Sequence, residues 1–277
     1  MPVRIVTDSA CDLTLDETAR HRVEVVPLSI RFGTTEYVDR EQLSVSDFYK
    51  KLASSADLPE TAAPAPGAFQ RAFDKAADEG ATEVVCINLS SQLSATMQSA
   101  LTAAGAFKRI PVQVVDSNSI TAGLGSLVVH AAELAAGGAS ADEIVKSVEE
   151  HKPRLRVYGS LDTLENLKKG GRIGGAAALL GSMLSIKPLL DLSSGRVEEA
   201  GKTRTRKKAM LWLRDKVRAA QPVEKLNVMH GEAPDIADFL ELLREDFDLA
   251  TVRVGPIGAV IGSHGGPRVL GVTYLVQ

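Results

Sequence analysis

Aromatic residues make up only 4% of the 277-residue chain, with a single tryptophan. That scarcity argues against the stacking platforms that hold single-stranded nucleic acid. Cysteine is scarcer still. Cys11 and Cys86 stand 75 positions apart, with no CxxC and no Cys/His ligand spacing, so they read as reduced thiols of a cytosolic protein and not as a disulfide framework or zinc site. Charge of one sign is also missing: the formal net charge is -3, which gives no overall basic face for nucleic acid. The longest uncharged apolar stretch runs from Ile173 to Ile186, fourteen residues that include three glycines and are too few to span a bilayer. The N-terminal "MPVRIVTDSACDL" enters a strand at once, with no signal-peptide apolar segment, so a cytoplasmic location is expected. There is no internal repeat or low-complexity tract.

What the chain does have is an ordinary globular composition, 44% hydrophobic and 24% charged, and length enough for one large or two smaller α/β domains. Short aliphatic runs alternate with amphipathic segments, the mark of βαβ units. Strands are predicted at 3–6, 83–89 and 112–117, with extended segments on either side of Pro27. Helices are predicted at 14–20, from Ser44 or Ser46, from Pro66 to Gly80, from about Ser94, and from about 120 to Gly137–Gly138. Residues 60–67 read as a proline-rich loop, and Ser140 with Glu143 as a capping box. After Pro153 the alternation loosens and glycine rises, which places a domain boundary near 150–155. The reading is therefore an N-terminal, mostly parallel-sheet α/β domain at 1–152 and a second α/β domain at 153–277. The second has strands expected near 186–192, 196–199, 226–230, 249–254 and 269–276, and helices near 174–184, 205–219 and 234–244.

Several stretches carry possible chemistry. In "INLSSQLSATMQSA" an aliphatic strand ends in serines where a helix begins, so unpaired N–H groups and the positive dipole end could receive an anion, with Ser94 adding a hydroxyl. Ser94 as a plain N-cap is the competing reading. Asp8 and Asp12 in "TDSACDL" read best as turn and cap residues, since a phosphatase-type pair would need Asp where Ala10 stands. "GRVEEAGKT" misses the P-loop spacing by one residue. Two basic clusters, Lys168, Lys169 and Arg172, then Lys202, Arg204, Arg206, Lys207 and Lys208, are solvated surface or an acidic-partner site; the second opposes its helix dipole. His264 stands in "GSHGGP", read as a glycine-flexed loop.

Taken in order, "TDSACDL", the Thr61 loop, "LSATMQSA", "VVDSNSITAGLG", "GGRIGG", "IKPLL" and "IGSHGGP" resemble the DegV family, whose functionally understood members are FakB-type fatty-acid-binding proteins. The resemblance covers nearly the whole chain. It implies a two-domain α/β protein with a long-chain fatty acid buried between the domains and no cofactor or metal. The carboxylate would be held by Thr61, Ser94 and His264. An ATP-dependent fatty-acid kinase would phosphorylate it, with Arg172 working toward that partner, and the acyl phosphate would pass by transient contact with membrane acyltransfer machinery into bacterial phospholipid synthesis. The chain departs from the family pattern at Ala62, Ala63, Ala65, Ala95, Gly265 and Arg268, which thins the polar surroundings of the three ligands.

Elementary energetics fit that implication. Each buried methylene contributes roughly 0.8 kcal/mol, against about 1.5–3 kcal/mol for a charge-assisted hydrogen bond. The tail would dominate affinity, and the polar residues would fix the head group. Ile173, Ala177, Leu180 and Leu184 at helical spacing could line the tunnel or simply face the core. The leading expectation is a lipid-binding carrier without catalysis of its own. The alternatives are a hydrolase of acyl esters or acyl phosphates using Ser94, His264 and an aspartate such as Asp8, although the serine lacks a nucleophile elbow, and an interaction module with an incidental pocket.

Overall fold

The computed structural model describes residues 2–180 and 186–277. In chain order the first part carries β1 (Val3–Asp8), α1 (Leu15–His21), β2 (Glu24–Val26), β3 (Ser29–Phe32), β4 (Thr35–Val38), α2 (Val45–Ser54), β5 (Glu60–Ala62) and α3 (Pro66–Asp78). It continues with β6 (Glu83–Asn88), α4 (Thr96–Ala106), β7 (Val112–Asp116), α5 (Thr121–Ala136) and α6 (Ala141–His151). Strands β2, β1, β6 and β7 pair in that order into a wholly parallel sheet. A small antiparallel sheet, β4-β3-β5, sits beside it.

The second part carries β8 (Leu155–Ser160), α7 (Glu165–Lys169), β9 (Lys187–Asp191), β10 (Glu198–Thr203), α8 (Arg206–Ala219) and β11 (Val223–His230). It ends with α9 (Ile236–Arg244), β12 (Arg253–Pro256), α10 (Ala259–Gly265) and β13 (Leu270–Val276). Its six strands run β10-β9-β8-β13-β11-β12, antiparallel except for the β11–β12 pair. This is the mixed α/β architecture, a parallel sheet plus a second sheet, that the sequence pattern implies.

Strand alternation divides the core. Along β6, Val84 and Cys86 join Phe69 and Phe73 under α3 and α4, while Val85 and Ile87 point the other way, because successive side chains leave opposite faces of a strand. That second face shares one apolar core with the inner face of the six-stranded sheet, where Val157, Leu190 and Met229 lie. Helix α5 runs between the two sheets, in contact with β1, β6, β8, β11 and β13. Its sequence is apolar nearly all round, as a mostly buried helix requires. Two glycines let it approach the six-stranded sheet on one side and the turn after β1 on the other. A Cβ on Gly123 would stand 3.0 Å from the Val157 side chain, and one on Gly125 2.6 Å from the Cys11 carbonyl.

Local signals act where expected at several termini. Ser44 caps α2, Pro66 opens α3, and Ser140 with Glu143 forms the capping box of α6. Other expectations need correcting. Residues 60–62 form a strand, because Glu60, Thr61 and Ala62 pair with Arg31, Ile30 and Ser29; tertiary pairing overrides the loop composition. The segment at 249–254 divides into a 3-10 turn at Leu249–Thr251 and β12. The expected helix at 174–184 is a 3-10 helix at Gly174–Leu179 that ends at an extended Leu180, and residues 181–184, Leu184 included, lie outside the described residues. The "GSHGGP" histidine is not on a loop: it occupies the last turn of α10. Among the described residues no helix is long and apolar enough to cross a membrane.

Candidate functional site

A cavity opens between the sheets. Its walls are mainly aliphatic. Leu28, Leu89 and Ile120 come from the first part, Val157 and Leu190 from the six-stranded sheet, and Leu192 from just after β9. Ile257, Val260 and Ile261 close it from α10 and the residues before it. Against that apolar surface stand Thr61, Ser94, Arg172 and His264. The four residues singled out in the sequence thus border one cavity, from four separate segments.

Each is placed by its element. Cross-strand pairing sets Thr61 opposite Ile30, and Ile30 is fully buried, so Thr61 faces inward and Arg31 and Glu60 outward. Thr61 Oγ1 lies 2.9 Å from His264 Nε2. His264 projects from the end of α10, which Asn166 secures by donating from Nδ2 to the Ser263 carbonyl at 3.1 Å. The other imidazole nitrogen, Nδ1, is buried and has no hydrogen-bond partner among the described residues. It lies against Gly170, where a Cβ would come within 2.4 Å of it. Glycine at 170 is what makes room for the ring.

Arg172 is tethered on two sides: Nε donates to the Leu93 carbonyl, in the segment ahead of α4, at 3.0 Å and Nη1 to the Gly170 carbonyl of its own loop at 2.7 Å. It therefore brings a positive charge to the cavity. Burial first, and the Arg172 charge second, push the His264 pKa down to about 4, so the imidazole is neutral at pH 7. Ser94 stands just ahead of α4. Its Oγ lies 2.9 Å from Thr96 Oγ1 and accepts from the Thr96 N–H at 3.3 Å. The helix begins at Thr96, later than expected, and its N-cap Ala95 has no side-chain bond, so Ser94 serves as a local cap as well as a cavity hydroxyl.

The hydrolase constellation does not assemble. His264 Nε2 faces Thr61, and the Ser94 hydroxyl is engaged with Thr96. Asp8 accepts from Ala10 N, Asn88 Nδ2 and Leu89 N, tying the ends of β1 and β6 together. No group of three or more His, Cys, Asp or Glu side chains able to hold a metal occurs among the described residues.

Two roles were invisible in the sequence. Gly170 and Asn166 fix the histidine, and only the glycine doublet of "KKGGRIGG" hints at it. Asp12, expected as a turn residue, is a buried hub. Its carboxylate accepts from the Gly258 N–H at 3.0 Å and from the Thr121 hydroxyl at 2.6 Å, and it lies 3.5 Å from Arg40 Nη2. Gly258 caps α10 and Thr121 opens α5, so one carboxylate holds the starts of two helices that border the cavity. Burial raises its pKa to about 6 against the pull of Arg40. Of the second basic cluster, Arg206 forms a two-bond pair with Asp235 at 3.0 and 3.1 Å.

Comparison with known proteins places this arrangement. A family model described as an uncharacterised protein family, DegV, matches residues 2–277. A DegV domain-containing protein of Listeria monocytogenes is 34% identical over 281 residues, covering 99% of each chain. One from Deinococcus radiodurans is 38% identical over 284 residues, covering 98% of each. Among solved structures, a fatty-acid-binding DegV family protein of Thermus thermophilus superposes with a TM-score of 0.90 at 36% identity over 100% of both chains. DegV of Bacillus subtilis, described as a fatty acid binding protein, does so with 0.87 at 29%, also over 100% of both. The chain belongs to the DegV family.

Proposed function

We propose that this protein is a carrier for a long-chain fatty acid, held between a first unit at 1–152 and a second at 153–277. The carboxylate rests on Thr61, Ser94 and His264, and the acyl chain fills the apolar cavity. The observation that carries this reading is the contrast within one cavity: aliphatic walls on most sides and a cluster of three neutral donors and one cation at Thr61, Ser94, His264 and Arg172. An anionic head group would accept hydrogen bonds from the Thr61 and Ser94 hydroxyls and from the His264 ring, leaving Arg172 to face the partner. The solved relatives described as fatty-acid-binding support the same class.

The carrier has no catalysis of its own in this reading. It presents the carboxylate to an ATP-dependent fatty-acid kinase, with Arg172 meeting that partner or the phosphate, and hands the acyl phosphate to membrane acyltransfer machinery. Phosphoryl transfer needs positioning and charge neutralisation, and the cavity's donors supply positioning. The experiment is reconstitution: oleate-loaded protein, a bacterial fatty-acid kinase and ATP, with acyl phosphate trapped as the hydroxamate. Formation dependent on all three supports the role. Acyl-ester hydrolysis by the protein alone would support a hydrolase instead.

A further inference from the structure

Strands β8 and β13 are neighbours in the middle of the six-stranded sheet, and Gly159 lies directly opposite Gly271. The same row continues to Leu190 on β9 and Met229 on β11. Residues directly opposed across strands point to one face. That face is the cavity side: Leu190, Gly159 and Gly271 border the cavity, and Met229 belongs to the core shared with the parallel sheet. The row thus has long side chains on the two strands that flank β8 and β13 and none on those middle two. The preceding inward row is filled, with Val157 opposite Thr273. Since paired strands lie about 4.8 Å apart, the gap is a trough about as wide as an alkyl chain.

Neither glycine is demanded by the backbone, for neither adopts a positive φ. Packing does not demand Gly159 either. A Cβ there would meet the Leu270 carbonyl at 3.8 Å and Leu192 Cδ1 at 3.9 Å, ordinary contacts, whereas one at Gly271 would stand 3.1 Å from the Tyr158 carbonyl. Glycine inside a central strand weakens it and marks a place where something approaches the backbone closely. We infer that the Gly159–Gly271 pair is the specificity-determining floor of the cavity, where the acyl chain lies against the sheet and whose missing side chains set the chain length accepted. The inference rests on the fatty-acid reading above and names the part of the site that reads the tail.

Gly159→Val and Gly159→Ala test it, since a β-branched residue suits a strand and should hold or raise the stability of the unloaded protein. Delipidated protein is titrated with laurate, myristate, palmitate and stearate, and urea midpoints are measured in parallel. Each excluded methylene costs roughly fourfold in affinity. Gly159→Val is therefore expected to weaken stearate at least roughly tenfold and laurate less than about threefold, with Gly159→Ala between. Equal loss at every length, or unchanged affinity throughout, overturns the inference while leaving the carrier reading intact. A wild-type protein that takes up none of the four acids overturns both.

Discussion

Thr61 Oγ1 stands 2.9 Å from His264 Nε2, although 203 residues separate them in the chain. The contact joins a short edge strand to the last turn of a helix near the opposite end of the sequence, and it sets the polar end of the cavity. Thr61→Val keeps the shape and removes the hydroxyl. A hydrogen bond to a charged group is worth about 1.5–3 kcal/mol, so fatty-acid affinity should fall roughly ten- to hundredfold with little change in the urea midpoint. Unchanged affinity would remove Thr61 from the head-group site.

Gly170→Ala is expected to disturb the same contact from behind, because its methyl would stand 2.4 Å from His264 Nδ1. The ring must turn away from Thr61 or α7 must shift. Fatty-acid affinity should fall as far as in Thr61→Val, and the two changes combined should cost little more than either alone. Additive losses would show that Gly170 acts elsewhere.

His264 gives a spectroscopic signature. Its pKa of about 4 in the unloaded protein lies below the ordinary 6.5, so between those values the unfolded chain holds a proton that the folded one lacks. Relative to His264→Gln, the unloaded wild type should lose stability as pH falls from about 6.5 toward 4. A bound carboxylate favours the imidazolium, so histidine NMR titration should show this pKa rising on loading. A pKa unmoved by fatty acid would place the carboxylate elsewhere.

Asp12 has the opposite sign. Its folded pKa of about 6 exceeds the ordinary 3.8, so between those values the folded chain binds the extra proton. Its contribution, measured against Asp12→Asn, should be greatest at low pH and decline as pH rises through about 6. Chemical denaturation of both proteins across that window checks it; a difference that grows with pH would contradict burial as the dominant influence on Asp12. Asp12→Ala, which strands the Gly258 N–H, the Thr121 hydroxyl and Arg40 together, should cost about 3 kcal/mol or more.

Arg172→Ala is expected to separate binding from presentation. Fatty-acid affinity should stay within about threefold, since Arg172 Nε and Nη1 are engaged by the Leu93 and Gly170 carbonyls, while acyl-phosphate formation with a kinase should fall sharply. The His264 pKa should rise as the neighbouring charge is removed. Loss of fatty-acid binding itself would make Arg172 a head-group ligand.

Most regular elements were legible because their signals are local. Ser44, Pro66 and the Ser140–Glu143 box mark helix starts through hydrogen bonds within one turn. The resemblance carried Thr61, Ser94, Arg172 and His264, which the fold does bring to one cavity. What stayed hidden depends on distant partners. Strand β5 exists because β3 is there to pair with it, and α10 forms with two glycines inside it and one at each cap, where composition suggested a loop. Asp12, Asn166 and Gly170 act only through contacts with Gly258, Ser263 and His264, and nothing in their own neighbourhoods announces that.

The central claim is occupancy of the cavity by a fatty acid, and mass spectrometry of the purified protein under native and then denaturing conditions tests it most directly. The account predicts an intact species heavier than the chain by a few hundred daltons, released on denaturation as a free long-chain fatty acid and diminished in Thr61→Val. A native mass equal to the chain alone, unchanged after incubation with long-chain fatty acids, would contradict it.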